Sequence, residues 1–169
     1  MLIDDAARGD GPTCLGTRWE LISDRVMGGV SSGTLAHGDV AGRPARRLRG
    51  SVSLENSGGF IQMALDLAAG GGLLDAGAYR GVAVTVYGNG EDYCVNLRSA
   101  DCVRPWESYR AGFTAAPAWQ TLELPFSAFT PHRLAAPLDA TRLRRIGIIA
   151  IGRAFDADVA VAALELLPP

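Results

Sequence analysis

The chain has 169 residues, 48% of them hydrophobic and 20% charged, with a formal net charge of -2. That length and balance fit one globular domain that buries its own core, and they speak against a disordered chain. The near-neutral charge speaks against a dedicated nucleic-acid binder, which carries a basic excess, and leaves Arg46, Arg47 and Arg49 as a candidate basic patch.

Residues 1–16 lack apolar pattern and read as a loosely held N-terminal arm, ahead of a single domain over 17–169. The opening stretch carries acids rather than a secretory signal, and no run of about 18 apolar residues follows anywhere. The expectation is therefore a cytoplasmic protein with no membrane span. Gly9, Gly11 and Gly16 sketch a glycine-rich loop, but no strand precedes it and no Lys follows, so a phosphate cradle lacks support.

Further along, period-two alternation dominates. Leu48, Val52 and Leu54 alternate with Arg47, Arg49, Ser51 and Ser53, and Ile61, Met63, Leu65 and Leu67 alternate with Gln62, Ala64 and Asp66. Val82, Val84 and Val86, then Tyr93, Val95 and Leu97, repeat the pattern. Each run predicts a strand with one face on a core. Further strands are expected over 107–113, 119–124, 145–151 and 159–166. The run Ile146–Ile151 is apolar on both faces and belongs at the centre of a sheet. Gly88-Asn89-Gly90 reads as a hairpin turn, because these residues tolerate positive φ. Single helical turns are expected near Pro125–Phe129 and Leu138–Leu143. Many short strands and almost no helical periodicity mean an all-β sandwich or barrel.

The chemistry is sparse. His37 and His132 lie far apart in loop-like contexts, and no cluster with metal-ligand spacing or nucleophile–base pairing surrounds them. Cys14, Cys94 and Cys102 are odd in number and form no C-x-x-C pair, so they read as reduced thiols. No loop has the converging oxygens that calcium needs. No cofactor or metal is expected. Among the aromatics, Trp19, Trp106, Trp119, Tyr93 and Tyr109 could stack on a sugar ring or simply fill the core. Trp106, after Arg104-Pro105, is the best candidate for exposure. Gln62, Asn96, Arg98 and Arg110 fall on strand faces opposite the apolar stripes, where adjacent strands would join them into a polar patch. With Trp106 they form a candidate ligand face.

The segment WELISDRVMGGVSSG, Trp19 to Gly33, is not explained by alternation. Its glycines permit close backbone approach, and Asp24 can accept backbone N–H bonds or pair with Arg25. The segment resembles the complex I intermediate-associated protein 30 family. The resemblance continues through LENSGGFIQM (Leu54 to Met63), YRGVAVTVYGNGEDYCVNLRS (Tyr79 to Ser99) and YRAGFTAAPAWQTLELPFSAFTP (Tyr109 to Pro131). It implies a jelly-roll sandwich of the galactose-binding-domain-like kind. It also implies a chaperone-like assembly role for respiratory NADH:ubiquinone oxidoreductase, with a protein partner among the subunits of that complex. The motif residues Asp24, Arg25, Met27, Gly28, Gly29, Asn56, Gly59 and Phe60 become the candidate binding loop, or the scaffold of one. The chain departs from the mitochondrial pattern in having no transit peptide, and PHRLAAPL follows Phe129 where the family often shows a Gly after the Arg.

The leading expectation is a non-enzymatic protein-interaction module. The alternative is a carbohydrate-binding module, suggested by the implied fold and the aromatics. An enzyme ranks third, for want of any catalytic constellation.

Overall fold

The computed structural model describes all 169 residues. It is an all-β sandwich of two antiparallel six-stranded sheets. The strands, in chain order, are β1 (Leu2–Asp5), β2 (Glu20–Ser23), β3 (Ser32–Val40), β4 (Arg43–Val52), β5 (Phe60–Asp66) and β6 (Gly81–Gly88), followed by β7 (Asp92–Ser99), β8 (Ser108–Thr114), β9 (Gln120–Pro125), β10 (Thr130–His132), β11 (Leu143–Ile151) and β12 (Phe155–Leu167). One sheet runs β3-β4-β12-β6-β9, with β1 also paired to β12; the other runs β10-β8-β7-β11-β5-β2. Helix is confined to short 3-10 turns, two of them over Phe126–Ala128 and Ala140–Arg142. No helix is long and apolar enough to cross a membrane.

The alternation does what a half-buried strand requires. Ile61, Met63 and Leu65 of β5, Val95 and Leu97 of β7, Tyr109 of β8, and Ile146 and Ile148 of β11 point inward from one sheet and are at most 1% exposed. Leu48, Val84, Val159 and Leu164 meet them from the other sheet in one continuous core. Truncating one such side chain to Ala costs about 2–5 kcal/mol, because the cavity left behind does not fully collapse. β11 lies between β7 and β5, so the doubly apolar run Ile146–Ile151 is central as expected.

Four expectations need correction. Residues 1–16 are not a loose arm. β1 pairs with β12, Ile3 and Ala6 are fully buried, and the Asp4 carboxylate is buried in an ion pair with Arg46 at 2.8 Å while also accepting from Trp19 Nε1 at 2.8 Å. Arg46 donates further to the Gly9 and Gly11 carbonyls, at 3.4 and 3.2 Å, which ties the glycine-rich stretch down. The arm looked patternless because its strand is only four residues long, with one core side chain, Ile3, and because much of what holds it is polar and distant in sequence. The same contacts dissolve the proposed basic patch: Arg46 is buried on Asp4, Arg47 pairs with Asp158 at 2.7 Å, and only Arg49 is exposed. Third, Gly88-Asn89-Gly90 does not close a hairpin. β6 and β7 belong to different sheets, and the turn carries the chain from one to the other. Gly88 N and Gly90 N donate to the Ala116 and Ala115 carbonyls, and Asn89 bridges the Tyr93 hydroxyl and the Asp156 carbonyl. The tight hairpin is elsewhere, between β3 and β4, where Ala41 and Gly42 both take positive φ (48° and 82°). His37 and His132 likewise sit in strands β3 and β10, not in loops.

Candidate functional site

The face of the β10-β8-β7-β11-β5-β2 sheet that turns away from the core carries a groove of about 600 Å³. Register explains its floor. Gly147 of β11 lies between Ala64 of β5 and Asn96 of β7, and Asn96 lies opposite Arg110 of β8. One residue pair along, Arg145 lies between Asp66 and Arg98. Gln62, Asn96, Arg98 and Arg110 thus share one face, joined by Ser108, Ile149 and Ile151. A Cβ at Gly147 would overlap the Gln62 amide that lies across it, so the amide rests where only a glycine leaves it room. That amide in turn accepts from Asn96 Nδ2 at 3.4 Å.

Two loops wall the groove. The β7–β8 connection contributes Pro105 and Trp106, the indole 54% exposed. Glu107 fixes this loop by accepting from the backbone N–H groups of Val103 and Arg104 at 3.1 and 2.6 Å. The turn after β2 contributes Val26 and Met27, 78% and 61% exposed, with Ile22 and Phe60 beneath them.

That second wall stands on Asp24. Its side chain is fully buried and accepts from Ser31 N (3.0 Å), Ser31 Oγ (2.5 Å), Gly59 N (2.6 Å) and Phe60 N (3.3 Å). Burial works against the charged carboxylate, but the hydrogen bonds from Ser31, Gly59 and Phe60 outweigh it and hold its pKa below the ordinary value. Gly29 and Gly58 pack their α-carbons against this carboxylate, and a Cβ at either position would collide with it. Gly28 ends the turn in the left-handed region at φ 87°. Arg25 does not pair with Asp24; its Nε donates to the Ser31 carbonyl at 2.9 Å.

The two sets of candidate residues therefore meet at one place. Gln62, Asn96, Arg98, Trp106 and Arg110 all line the groove, and so do Met27 and Phe60 of the motif. Asp24, Arg25, Gly28, Gly29, Asn56 and Gly59 are not among its lining residues; Asp24, Arg25, Gly28, Gly29 and Gly59 build or brace the turn that presents Met27, whereas Asn56 is exposed in the separate turn Glu55–Ser57. Trp19 and Trp119 serve packing. Trp119 stacks with Tyr87 and Arg43 and donates to the Val40 carbonyl.

The floor has an unusual polar balance. Four buried side-chain atoms in the molecule lack a hydrogen-bond partner: Asn96 Oδ1, Arg98 Nε, Ser108 Oγ and Arg110 Nε. All four residues line this groove. A smaller hollow near Cys94, Gly112 and Arg153 shows no such deficit, since Thr114 donates to Asp92 and Arg153 pairs with Glu91. No group of three or more His, Cys, Asp or Glu side chains converges anywhere to hold a metal ion.

Comparison with known proteins carries the description further. Residues 13–161 match the family model for complex I intermediate-associated protein 30. The chain belongs to this family. Among the curated proteins, none matches the sequence. Solved structures similar to this family member include carbohydrate-binding modules. One is the family 11 module of the cellulosomal cellulase Lic26A-Cel5E of Clostridium thermocellum, 14% identical over 89% of this chain and 88% of that one, with a TM-score of 0.71. The same kind of module in complex with a beta-1,3-1,4-mixed-linked tetrasaccharide aligns with 14% identity over 89% and 88% of the two chains, at a TM-score of 0.69. A family 30 carbohydrate-binding module is 16% identical over 80% of this chain and 75% of that one, at a TM-score of 0.60. At such identities the likeness speaks to the fold, and it agrees with the jelly-roll sandwich expected for the family.

Sequence reasoning missed Ile22, Val26, Pro105, Ser108, Arg145, Gly147, Ile149 and Ile151 as groove residues. For the last four the signal was present in the alternation of Arg145, Gly147, Ile149 and Ile151, hidden because the intervening Ile146 and Ile148 make the run look buried on both sides.

Proposed function

We propose that the chain is a non-enzymatic module that binds a segment of a partner protein in the groove between Met27 and Trp106. Its role would be in the assembly of a respiratory NADH:ubiquinone oxidoreductase, with subunits of that complex as the partners. The observation that carries this reading is the groove's pairing of exposed apolar walls, Val26 and Met27 on one side and Trp106 on the other, with polar floor atoms that have no partner inside the chain. Exposed large apolar side chains gathered around one cleft mark a surface that another molecule covers. Met27 suits a protein partner, because an unbranched thioether adapts to irregular apolar surfaces. Family membership supports the assembly role, and the unpaired thiols of Cys14, Cys94 and Cys102 suit a reducing compartment such as the cytoplasm.

Quantitative affinity purification of the tagged chain from its native cell tests this. Subunits of the NADH:ubiquinone oxidoreductase should be enriched with the wild type and lost with Met27→Glu, while the thermal midpoint of the variant stays unchanged. Equal recovery with both proteins, or none with either, would overturn the reading.

One observation favours a second reading. Trp106 offers a flat exposed ring at the groove, and the fold is shared with modules that bind carbohydrate. Under that reading the groove takes an oligosaccharide. Calorimetric titration with a panel that includes the mixed-linked tetrasaccharide decides it: a saturable micromolar signal abolished by Trp106→Ala would replace the protein-binding reading.

A further inference from the structure

Resting on the protein-binding reading, we infer that the groove floor is an anion-recognition site, and that the bound segment is acidic: a carboxylate side chain, flanked by aliphatic residues, set against Arg98 and Arg110.

The floor carries positive charge that the chain does not neutralise. Six arginines of the chain make ion pairs with carboxylates: Arg46, Arg47, Arg80, Arg142, Arg145 and Arg153. Of those without one, only Arg98, Arg110 and Arg144 are withdrawn from solvent rather than fully exposed. Arg144 lies off the groove, donating to the Gly71 carbonyl. Arg98 and Arg110 both lie in it, on neighbouring strands, with only the Asn96–Arg110 cross-strand step between them. Arg98 is anchored by its own loop, its Nη2 reaching the Cys102 and Arg104 carbonyls at 3.4 and 3.1 Å. Those carbonyls orient the guanidinium without neutralising it. A half-buried cation with no counter-charge costs free energy, and chains keep such groups where a ligand supplies the charge.

Hydrogen bonding on the floor points the same way. The two Nε donors, the Ser108 hydroxyl and the Asn96 carbonyl oxygen are the atoms that the chain leaves without a partner, and three of the four can donate. A carboxylate is an acceptor with room for several such donors, and it matches the planar fork of a guanidinium. Arg145 shows the chain using that chemistry internally: next to Arg98 across the strands, it is held by Asp66 and Glu20 at 2.8 and 2.7 Å. Arg98 and Arg110 have no equivalent. Burial already pushes the Arg110 guanidinium below its ordinary pKa, and the nearby Arg133 adds to this. An arriving anion would relieve both.

The walls decide between kinds of anion. Ile149 and Ile151 of the floor and Ile22, Val26 and Met27 beyond them form one apolar flank on the β2 side of the two arginines, fit for Leu- or Ile-like side chains next to the acid, while Pro105 and Trp106 close the other side. A hydroxyl-covered acidic sugar would leave its hydroxyls against these walls without partners, and only Trp106 is placed as an open platform for its ring.

Capped synthetic peptides alternating leucine with glutamate, their glutamine counterparts and an oligogalacturonide are the probes, titrated by calorimetry and by amide chemical shifts. The acidic peptide should bind with shifts at Asn96, Arg98, Trp106 and Arg110, and the glutamine peptide at least about tenfold more weakly. Arg110→Gln should erase that difference; as Arg110 Nε has no partner to lose, the variant should fold normally, checked by its melting curve. Arg98→Gln is the second variant. Equal binding of both peptides to the wild type would overturn the anion site while leaving the protein-binding reading in place. Binding of the oligogalacturonide alone would keep a carboxylate on the floor but overturn the acidic peptide as its occupant, and the protein-binding reading with it. Binding of no probe would overturn the inference, with the native-cell purification then judging the protein-binding reading separately.

Discussion

The surroundings of Asp24 and the floor of the groove are both polar, both shielded from water and only one loop apart. Around Asp24 the accounting closes: the carboxylate is fully buried and takes four donors. On the floor it stays open, with four buried atoms and no protein partner for any of them. A buried polar group that the chain satisfies is part of the scaffold. One that it leaves unsatisfied is available to something else. The glycine-rich segment that stands out most in the sequence therefore reads as scaffold, and the plainly alternating strands carry the atoms that a ligand can use.

The strongest way to break this contrast is to remove the carboxylate. Asp24→Ala leaves the N–H groups of Ser31, Gly59 and Phe60 and the Ser31 hydroxyl without their acceptor, and it should cost about 3 kcal/mol or more. Urea denaturation measures it. An unchanged midpoint would mean that Asp24 is not scaffold and is free to take part in recognition.

Adding a methyl group on the other side of the same carboxylate should cost somewhat less. Gly29→Ala puts a Cβ where the Asp24 carboxyl already sits, and the loop must shift to admit it. About 1–3 kcal/mol is expected for such overpacking. Gly28→Ala provides the comparison: open space surrounds its Cβ position, so only the left-handed backbone at φ 87° resists, worth about 1 kcal/mol. If the two variants melt alike, close packing against Asp24 is not why the second glycine is there.

Acid should sharpen the contrast further. The folded pKa of Asp24 lies below its ordinary value of 3.8, so the folded state binds this proton less readily than the unfolded chain does. Its contribution to stability is then complete above that value and is lost as the pH falls from there through the folded pKa. Asp24→Asn should show a flatter stability profile than the wild type below about pH 4. Parallel profiles would mean that other carboxylates account for the acid response.

How much of this was legible follows from what kind of force shapes each part. The inward faces of β5, β7 and β11 could be read directly, because burial of alternate side chains imposes period two on the sequence itself. The polar patch of Gln62, Asn96, Arg98 and Arg110 followed from the same alternation, and the exposure of Trp106 from Pro105 before it. β1 stayed hidden since its anchor, the Asp4–Arg46 pair, joins residues 42 apart and leaves no local trace. Gly88-Asn89-Gly90 misled because a turn that tolerates positive φ looks the same whether it closes a hairpin or crosses between sheets. The groove itself could not be foreseen. It exists because Met27 and Trp106, far apart in the chain, rise over the same face of one sheet near its two edges, which depends on strand order rather than on any segment's pattern.

The smallest effect separates the two arginines that differ most in their surroundings. Arg145 and Arg110 point to the same face, yet Arg145 is held by Asp66 and Glu20 while Arg110 has an unpartnered Nε and no ion pair. Replacing each by Met keeps most of the aliphatic length and removes the charge. Arg145→Met should destabilise by about 1 kcal/mol, since it strands two carboxylates that are themselves partly solvated. Arg110→Met should leave the urea midpoint unchanged or raise it slightly, by about 0–1 kcal/mol, because a cation that is half-buried without a counter-charge has little to lose and a desolvation cost to shed. A site that becomes more stable when its charge is removed is one that the fold does not need for itself, the usual sign of a residue kept for binding. A loss of more than about 1 kcal/mol at Arg110 would show that the chain supplies it with a partner after all, and the distinction between closed scaffold and open floor would fail at its central residue.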